Sequence, residues 1–393
     1  MHEPILIVKK DREKPILQGH PWIYSGAIER VEGEPGMGET VLVKDGWNNA
    51  IGRAAYSPVS KIRARMWSWD AEEQIDDSFL RNKLRIAISL RQAISSNAYR
   101  LVNAESDNLP GLVVDRYDNH LVLQSLTAGV EYWKDTFVSC LTELTGIPNV
   151  YERSDVEVRT LEGLPQQCGL LAGKELEENI EIEENGLRFQ VDIRSGQKTG
   201  FYLDQRENRA KILPYVKDKS ILNCFCFSGA FGVYAVQGGA SQVLSVDSSA
   251  DAIELAKINT ALNFPDFHDL EWEVADVFIY LRQLRDQHRT FDVIILDPPK
   301  FAPTRKLAEQ AARGYKDINL LAMKLLNPGG ILITFSCSGG ISAEFFQAIV
   351  SGAASDAKRQ VIIMERLFQS RDHTVSLHFP EGEYLKGLIC KVL

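Results

Sequence analysis

Side chains that could bind a cofactor follow four apolar, strand-like stretches in the second half of the 393-residue chain. The first stretch runs into a turn of small residues that contains Gly229, and the next three end in Asp247, Asp276 and Asp297. A glycine-containing turn lets a ligand approach the backbone closely. Asp247, eighteen positions after Gly229, could accept hydrogen bonds from two ribose hydroxyls. Asp276 would suit an exocyclic adenine amine.

Taken alone, each of these segments is weak evidence, because a short acidic loop after a strand is often a solvated turn or a helix cap. Their occurrence at successive strands favours an adenosyl ligand. A nicotinamide cofactor is disfavoured because the chain lacks GxGxxG, and no GxxxxGK[ST] phosphate loop occurs. The residues predicted here to bind the cofactor are Asn223, Phe225, Ser228, Gly229, Asp247, Ser248, Asp276 and Asp297.

A cysteine, Cys337, follows the fifth strand-like stretch and would lie near Asp297 in a parallel sheet. Carbon 5 of cytosine is a poor nucleophile until a thiolate adds to carbon 6, and the resulting enamine-like ring can attack an electrophilic methyl group. Asp297 could hold N3 and the amino group of the base, which would favour the addition. Position alone fits a small core cysteine beside a Gly-Gly turn equally well.

These residues can form one site only if a sheet brings the ends of its strands together. From about residue 205, strand candidates alternate with helical stretches, which predicts an α/β fold with a parallel, doubly wound sheet and a ligand site at the carboxyl ends of the strands. The strand candidates are 220–226, 242–246, 270–274, 291–296 and 330–335, and the helical stretches include 250–262 and 307–326.

The first part of the chain has a different pattern. Short strands broken by turns predict a small β-barrel-like module over 1–70. A helix capped by Asp76 or Asp77 and a mixture of strands and a second helix predict an α+β domain over 71–178. The Asn185-Gly186 turn is typical of a β-hairpin, and it opens the third predicted domain, 179–393.

The composition, with 45% hydrophobic and 25% charged residues, excludes wholesale disorder. No apolar run approaches the ~18 residues of a membrane span, and the N-terminus lacks the layout of a signal peptide, so we expect a cytoplasmic protein. The six cysteines are scattered and form no CxxC pair, so neither a metal site nor a disulfide framework is indicated.

A net charge of −9 at first argues against a nucleic-acid partner. The charge is unevenly distributed, however, because no acidic residue lies between Asp45 and Asp70, while three cations there alternate with apolar residues. In a strand those cations share one face, which is either an ordinary solvated face or a phosphate-binding stripe. The candidates for phosphate contacts are Lys61, Arg63, Arg65, Arg206 and Lys300.

Six segments carry specific motifs: GHPWIYSG at 19–26, ESDNLPGLVVDRY at 105–117, GQKTGFYLDQR at 196–206, DPPKF at 297–301, SCS at 336–338 and FPEGEYLKG at 379–387. With these motifs the chain resembles the ribosomal RNA large-subunit methyltransferase I family over nearly its whole length. The resemblance implies an N-terminal PUA RNA-binding domain, a central α+β domain and a C-terminal Rossmann-like class I domain that binds S-adenosyl-L-methionine.

The same resemblance implies an activity and further site residues. Cys337 matches the family's nucleophile position and Asp297 its partner, which implies formation of 5-methylcytosine in 23S ribosomal RNA, with that RNA as partner and a homodimer as assembly. The segment 197–209 looks like the family's stretch that closes over cofactor and target base, although it also fits a polar interdomain loop. The cofactor-binding residues implied in it are Gln197 and Thr199.

Two other functions remain open from the sequence. Asp-Pro-Pro followed by an aromatic residue is typical of enzymes that methylate an exocyclic base amine and need no cysteine, although Lys300 intervenes here before Phe301. A ribosome-assembly or RNA-binding factor could keep the cofactor fold without turnover. The presence of both the three aspartates and Cys337 argues against that factor, and loss of activity in a Cys337→Ala variant would argue against the exocyclic amine.

Overall fold

The structure is a computed structural model that describes residues 3–176, 179–194, 196, 198–301 and 308–393. The chain divides into two compact units. The first contains Met1–Ile182, Val191–Phe201 and Arg371–Gly382, and the second contains Glu183–Gln190, Tyr202–Ser370 and Glu383–Leu393. The division of the sequence into 1–70, 71–178 and 179–393 stays a prediction, since the first two of these segments lie together in one unit.

The first unit begins with a six-stranded sheet in the order β2-β6-β5-β4-β1-β3. Strands β1 and β4 are parallel, and the other neighbours are antiparallel. Alternating apolar side chains from these strands, including Leu6, Val41 and Met66, form its buried core. The elements are β1 Ile5–Val8, α1 Lys14–Leu17, β2 Trp22–Tyr24, β3 Ile28–Glu32, β4 Thr40–Lys44, β5 Ala50–Tyr56 and β6 Ile62–Ser68.

A five-stranded sheet with the order β11-β10-β9-β8-β7 follows in the same unit. The helix that precedes these strands in the chain begins as predicted, because the Asp76 carboxylate accepts a hydrogen bond of 2.9 Å from the backbone N–H of Phe79. The elements are α2 Asp77–Ser89, β7 Ala98–Asn103, β8 Leu112–Tyr117, β9 His120–Ser125, α3 Ala128–Tyr132, α4 Lys134–Thr145, β10 Asn149–Ser154, α5 Val158–Leu161 and β11 Gln167–Ala172.

Strand β6 is buried on both faces over most of its length. Ala64 and Met66 belong to the core of the first sheet, whereas Trp67, on the opposite face, packs into the core that surrounds Phe79 and Phe137. The face of β6 that carries Arg65 is therefore covered by the α+β part of the unit. The prediction of a solvated three-cation stripe is corrected here, because alternation in a strand does not tell which face meets solvent.

The Asn185-Gly186 turn forms the predicted hairpin between strands β12 Ile180–Glu184 and β13 Leu187–Val191. Both turn residues have positive φ, 52° for Asn185 and 79° for Gly186. A two-residue hairpin turn of this kind requires positive φ at both central positions, which explains why Asn-Gly is favoured there.

The second unit contains a seven-stranded sheet in the order β16-β15-β14-β17-β18-β20-β19. The five strands of this sheet that come first in the chain, β14 to β18, are parallel, as predicted. Strands β19 and β20 are antiparallel additions that were not predicted from the sequence. The elements are α6 Arg206–Lys211, α7 Leu213–Val216, β14 Ser220–Cys224, α8 Ala230–Gln237, β15 Gln242–Asp247, α9 Ala250–Asn263, β16 Leu270–Val274, α10 Val277–Asp286, β17 Phe291–Leu296, α11 Ala308–Leu325, β18 Leu326–Ser336, α12 Ala343–Ala357, β19 Val361–Phe368 and β20 Lys386–Val392.

Helices flank this sheet and bury its apolar residues. Leu222, Ile294 and Leu332, from three adjacent parallel strands, are each fully buried in one continuous core. Because β14 lies between β15 and β17, the strand order reverses there, and in such sheets ligands bind beyond the carboxyl ends at that point. Within the described ranges, no helix combines the length and apolar character that crossing a membrane requires.

Candidate active site

The residues predicted to do chemistry lie where neighbouring parallel strands end together. In the strand register, Cys224 of β14 is paired with Val246 of β15 and with Leu296 of β17, and Leu296 is paired with Thr334 of β18. Asp247 and Asp297 directly follow Val246 and Leu296, and Cys337 lies three positions after Thr334, directly after the end of β18. The fold thus brings residues 90 positions apart in sequence to one edge of the sheet.

The loop after β14 has an unusual backbone. Phe225 and Phe227 have φ values of 57° and 46°, and Gly229 has 77°. Positive φ is uncommon for bulky residues, and such strain is found most often at functional sites. The loop is held by Asp247, whose Oδ2 accepts a hydrogen bond of 2.9 Å from the N–H of Phe227 and whose Oδ1 accepts one of 3.0 Å from Ser249.

Three predicted cofactor residues in this region are buried and shape the loop. The side-chain amide of Asn223 donates to Ser245 over 3.5 Å, and the Ser228 carbonyl accepts a hydrogen bond of 3.0 Å from Asn259 in α9. A Cβ at Gly229 would lie 2.6 Å from the Cβ of Ala256. Glycine is required there because the loop passes directly over α9 and has positive φ.

Asp276 follows β16 and caps helix α10. Its Oδ1 accepts a hydrogen bond of 3.1 Å from the N–H of Ile279, so the helix-cap interpretation that the sequence left open describes this oxygen. Oδ2 is then the atom that would meet an adenine amine. The side chains of Asp276 and Ser248 are both exposed, and their roles as cofactor ligands stay predictions.

Of the two cofactor-binding residues predicted in the segment 197–209, the structure describes only Thr199. Gln197 lies outside the described residues. Thr199 belongs to the first unit, where it is buried and its hydroxyl donates a hydrogen bond of 2.6 Å to Asp115. The Tyr117 hydroxyl lies 2.9 Å from the hydroxyl oxygen of Thr199. Because these contacts engage the Thr199 hydroxyl, its assignment to the cofactor stays a prediction.

Cys337 and Asp297 are both half-buried. The Cys337 thiol lies 3.8 Å from the carbonyl oxygen of Pro298, the residue after Asp297. A thiol at the end of one strand therefore meets the Asp-Pro-Pro segment at the end of the next. Cys337 is thus a partly exposed cysteine, unlike Cys224 and Cys390, which are buried in the sheet.

Tyr202 is a site residue that the sequence analysis did not single out. Burial raises the pKa of Tyr202, and the negative charges of Asp297, Asp204, Cys337 and Asp247 raise it further. Its phenol therefore stays neutral and keeps its O–H donor. The ring also packs edge-on against Phe227, with centroids 5.2 Å apart. The motif at 196–206 contains this tyrosine, but no spacing argument identifies it.

Phe301, at the end of the Asp-Pro-Pro-Lys-Phe motif, faces the protein interior. Its ring centroid lies 4.7 Å from that of Tyr315 and 5.7 Å from that of Phe278, and it packs on the core of the second unit. An aromatic side chain held in this way is not presented for stacking on a base.

The five cations predicted to contact phosphates separate into exposed and buried residues. Lys61 and Lys300 are exposed, and Arg63 is half-buried and donates to the carbonyl of Pro58. Arg65 is buried and forms an ion pair of 2.9 Å with Glu162. Arg206 is also buried, at 5% exposure. Neither buried guanidinium is presented to an RNA backbone, which corrects the prediction for Arg65 and Arg206.

Comparison with known proteins identifies the family of this chain. Residues 158–374 match the model for S-adenosylmethionine-dependent methyltransferases, and residues 6–69 match the model for PUA-like domains. The chain is 50% identical over 391 residues to Ribosomal RNA large subunit methyltransferase I of Tolumonas auensis, covering 98% of each chain. The protein of that name from Photobacterium profundum is 49% identical over 388 residues, again with 98% of each chain covered.

The chain belongs to the ribosomal RNA large subunit methyltransferase I family. This chain has the predicted architecture, with a PUA-like N-terminal domain and a Rossmann-like methyltransferase domain. A solved structure from Streptococcus mutans, assigned as an S-adenosylmethionine-dependent methyltransferase, has a TM-score of 0.85 at 23% identity and covers 99% of this chain and 100% of its own. A second, solved in complex with SAH, has a TM-score of 0.87 over the same shares.

The cofactor of this family, S-adenosylmethionine, fits the residues at the strand ends. The strained loop over Phe225–Gly229 brings backbone atoms to the edge of the sheet, as a bound nucleoside needs. Asp247 is an acceptor whose orientation two backbone N–H groups hold, and each carboxylate oxygen retains a further lone pair for a ribose hydroxyl.

Proposed function

We propose that this methyltransferase forms 5-methylcytosine in large-subunit ribosomal RNA and that Cys337 is its nucleophile. The observation that carries the proposal is the position of the thiol of the partly exposed Cys337, 3.8 Å from the carbonyl of Pro298 and next to Asp297. The names of the relatives support the RNA substrate. Methyl transfer to an exocyclic nitrogen would need no thiol at this position.

In the proposed reaction, the Cys337 thiolate adds to carbon 6 of the cytosine, and the electrons of the 5,6 double bond move to carbon 5 and the ring. Asp297 accepts a hydrogen bond from the amino group and shares a proton with N3, which stabilises the charge that develops on the ring. S-adenosylmethionine, when bound, supplies the electrophilic methyl group. Loss of the carbon 5 proton to a base then restores the double bond and expels the Cys337 thiolate.

Two neighbouring aromatic residues support this assignment. Tyr202 is a neutral phenol whose pKa is raised by burial and by the nearby negative charges of Asp297 and Cys337, so it can donate a hydrogen bond to the carboxylate or to a carbonyl of the base. Phe301 packs inward against Tyr315 and Phe278, whereas an exocyclic-amine methyltransferase would need that aromatic beside its target base. The geometry therefore favours carbon 5 over the amino group.

The RNA contacts proposed here use the cations that are not buried. Lys61 and Arg63 of the first unit and Lys300 of the second would bind phosphates and release counterions. A target cytosine inside a duplex must leave the stack before a thiol can reach carbon 6. The cytoplasmic location and the homodimer expected from the sequence are proposed together with this activity.

The test is methyl transfer from labelled S-adenosylmethionine to unmodified large-subunit ribosomal RNA, followed by mass spectrometry of the nucleosides. We expect 5-methylcytidine with the unaltered protein and none with Cys337→Ala. Cys168→Ala is the matched control, because Cys168 is an exposed cysteine of the first unit. Both variants should bind S-adenosylmethionine as the unaltered protein does, which separates loss of chemistry from loss of folding.

Other products would contradict the proposal. A methylated exocyclic amine would establish the exocyclic reaction in its place, and full activity of Cys337→Ala would exclude Cys337 as the nucleophile. Cofactor binding without methyl transfer to naked RNA or to assembled particles would indicate an RNA-binding assembly factor.

A further inference from the structure

Lys386 is a buried cation that has no role in the proposed reaction steps. It is the first residue of β20 and is paired with Ser336, the last residue of β18. The residue is 8% exposed, and its ammonium donates hydrogen bonds of 2.8 Å to the Ser338 carbonyl and 2.7 Å to the Ile341 carbonyl. Within the described part of the chain, no carboxylate lies within ion-pair distance of it. Lysine is rarely buried in this way.

The two carbonyls that hold the ammonium belong to the turn that follows Cys337. Ser338 is the next residue, and Ile341 closes the turn with a backbone hydrogen bond of 3.1 Å to the Ser338 carbonyl. An ammonium has three N–H donors, and these two contacts use two of them. The ammonium is thereby held at the residue that directly follows Cys337.

The charges around Lys386 point to the same neighbour. Burial lowers the pKa of Lys386 to about 8, while negative charge on Cys337 and then on Glu383 raises it and Lys300 lowers it. The lysine therefore remains mostly protonated at pH 7. Coulomb interactions are mutual, so a cation that is stabilised by a thiolate stabilises that thiolate in return. Burial also raises the pKa of Tyr202 and of Tyr315, so both phenols stay neutral. The Tyr315 hydroxyl lies 2.9 Å from that of Ser338.

We infer that Lys386 is a positioning residue that holds the Cys337 turn and stabilises the thiolate form of Cys337. This role rests on the proposed function of Cys337 as nucleophile. The thiol proton passes to water, Lys386 keeps its own proton, and no covalent bond to the lysine forms. The gain is a larger thiolate fraction at neutral pH, because an adjacent cation favours ionisation of a thiol.

The experiment measures how fast Cys337 is alkylated by iodoacetamide as a function of pH. Each cysteine is followed by mass spectrometry of its own peptide, and N-acetylcysteine treated in parallel gives the behaviour of an unperturbed thiol. In the unaltered protein we expect the midpoint of the Cys337 profile to lie below that of N-acetylcysteine. A midpoint at or above that of N-acetylcysteine would overturn the inference without any variant.

Three variants separate charge from packing. Lys386→Met removes the cation and should move the midpoint up by about one pH unit, which is roughly a tenfold slower reaction at pH 7. Lys386→Arg keeps the charge and should retain the low midpoint. Lys211→Met makes the same chemical change at an exposed ion pair with Glu365 and should leave the profile unaltered. Protection of the buried Cys224 and Cys390 from alkylation serves in each sample as the check that the second unit is folded.

The result expected of a purely structural lysine is different. If Lys386→Met and Lys386→Arg alter the rate equally, or if neither alters it, the carbonyl contacts alone explain the residue and the inference is wrong. Alkylation needs neither RNA nor methyl transfer, so its outcome is independent of the nucleoside analysis. Full activity of Cys337→Ala would refute the proposed function while leaving the measured effect of Lys386 on the thiol in place.

Discussion

The carboxylate of Asp247 holds the backbone of Phe227 in a conformation that phenylalanine rarely adopts. Oδ2 accepts a hydrogen bond of 2.9 Å from the N–H of Phe227, whose φ is 46°. The end of β15 thereby fixes the loop that follows β14. The acid that we propose to bind the ribose thus also shapes the loop proposed to contact the nucleoside.

Replacing Asp247 should therefore weaken S-adenosylmethionine binding strongly. Hydrogen bonds to a charged group contribute roughly 1.5–3 kcal/mol, so Asp247→Asn should raise Kd by about 10- to 100-fold and Asp247→Ala by more. Isothermal titration calorimetry measures this directly. Asp251→Asn, an exposed acid in the first turn of α9, should leave Kd within twofold. An unaltered Kd in Asp247→Ala would show that Asp247 does not bind the cofactor.

A methyl group at Gly229 should destabilise the protein and loosen the same loop. The added Cβ would lie 2.6 Å from Ala256 Cβ and 3.0 Å from its Cα, at a φ of 77°. Overpacking combined with an incompatible backbone typically costs about 1–3 kcal/mol in free energy of unfolding. Urea denaturation measures the change.

Gly352→Ala is the matched control for that substitution. Its Cβ would meet the Lys316 side chain at an ordinary 3.5 Å inside helix α12. Because alanine forms helix better than glycine, we expect the free energy of unfolding to be unchanged or to rise by up to about 1 kcal/mol. Equal destabilisation by the two substitutions would contradict the assigned difference.

The Glu184–Arg209 ion pair should be essential for stability of the second unit. Both side chains are buried, and the carboxylate accepts two hydrogen bonds of 2.7 Å from the guanidinium. Removing one charge leaves the other buried without compensation, so Glu184→Gln should lower the free energy of unfolding by about 3–5 kcal/mol. Glu254→Gln, in the exposed pair with Lys257, should alter it by less than about 1 kcal/mol. Similar losses of stability in Glu184→Gln and Glu254→Gln would refute the distinction between the buried and the exposed ion pair.

Charge reversal should have opposite consequences at Lys61 and Arg65. Lys61→Glu should weaken RNA binding and flatten its salt dependence without altering thermal unfolding, because Lys61 is exposed. Arg65→Glu would place an acid beside the buried Glu162 and should lower stability by several kcal/mol, of the order that breaking a buried pair costs. Fluorescence anisotropy over a salt series and thermal melting measure the two effects. An unaltered salt slope in Lys61→Glu would remove Lys61 from the RNA interface.

Much of the fold follows from local patterns in the sequence. The alternation of strands and helices after residue 205 predicts the parallel sheet, and the Asp76 cap and the Asn185-Gly186 turn lie where they were expected. These features depend on contacts within a few residues, so composition and spacing are sufficient. Because parallel strands end at one edge, the same pattern also places Asp297 and Cys337 together.

The sequence alone thus determined the alternation of the parallel strands and helices, the cofactor fold and the sheet edge that carries Asp297 and Cys337. Only the tertiary structure decided that Arg65 is covered rather than solvated, that Asp276 caps a helix, and that β20 brings Lys386 to the turn that follows Cys337. Each of those outcomes depends on which segment packs over a given face. That packing joins residues distant in the chain, where burial and strand pairing are set by the whole core rather than by any local spacing.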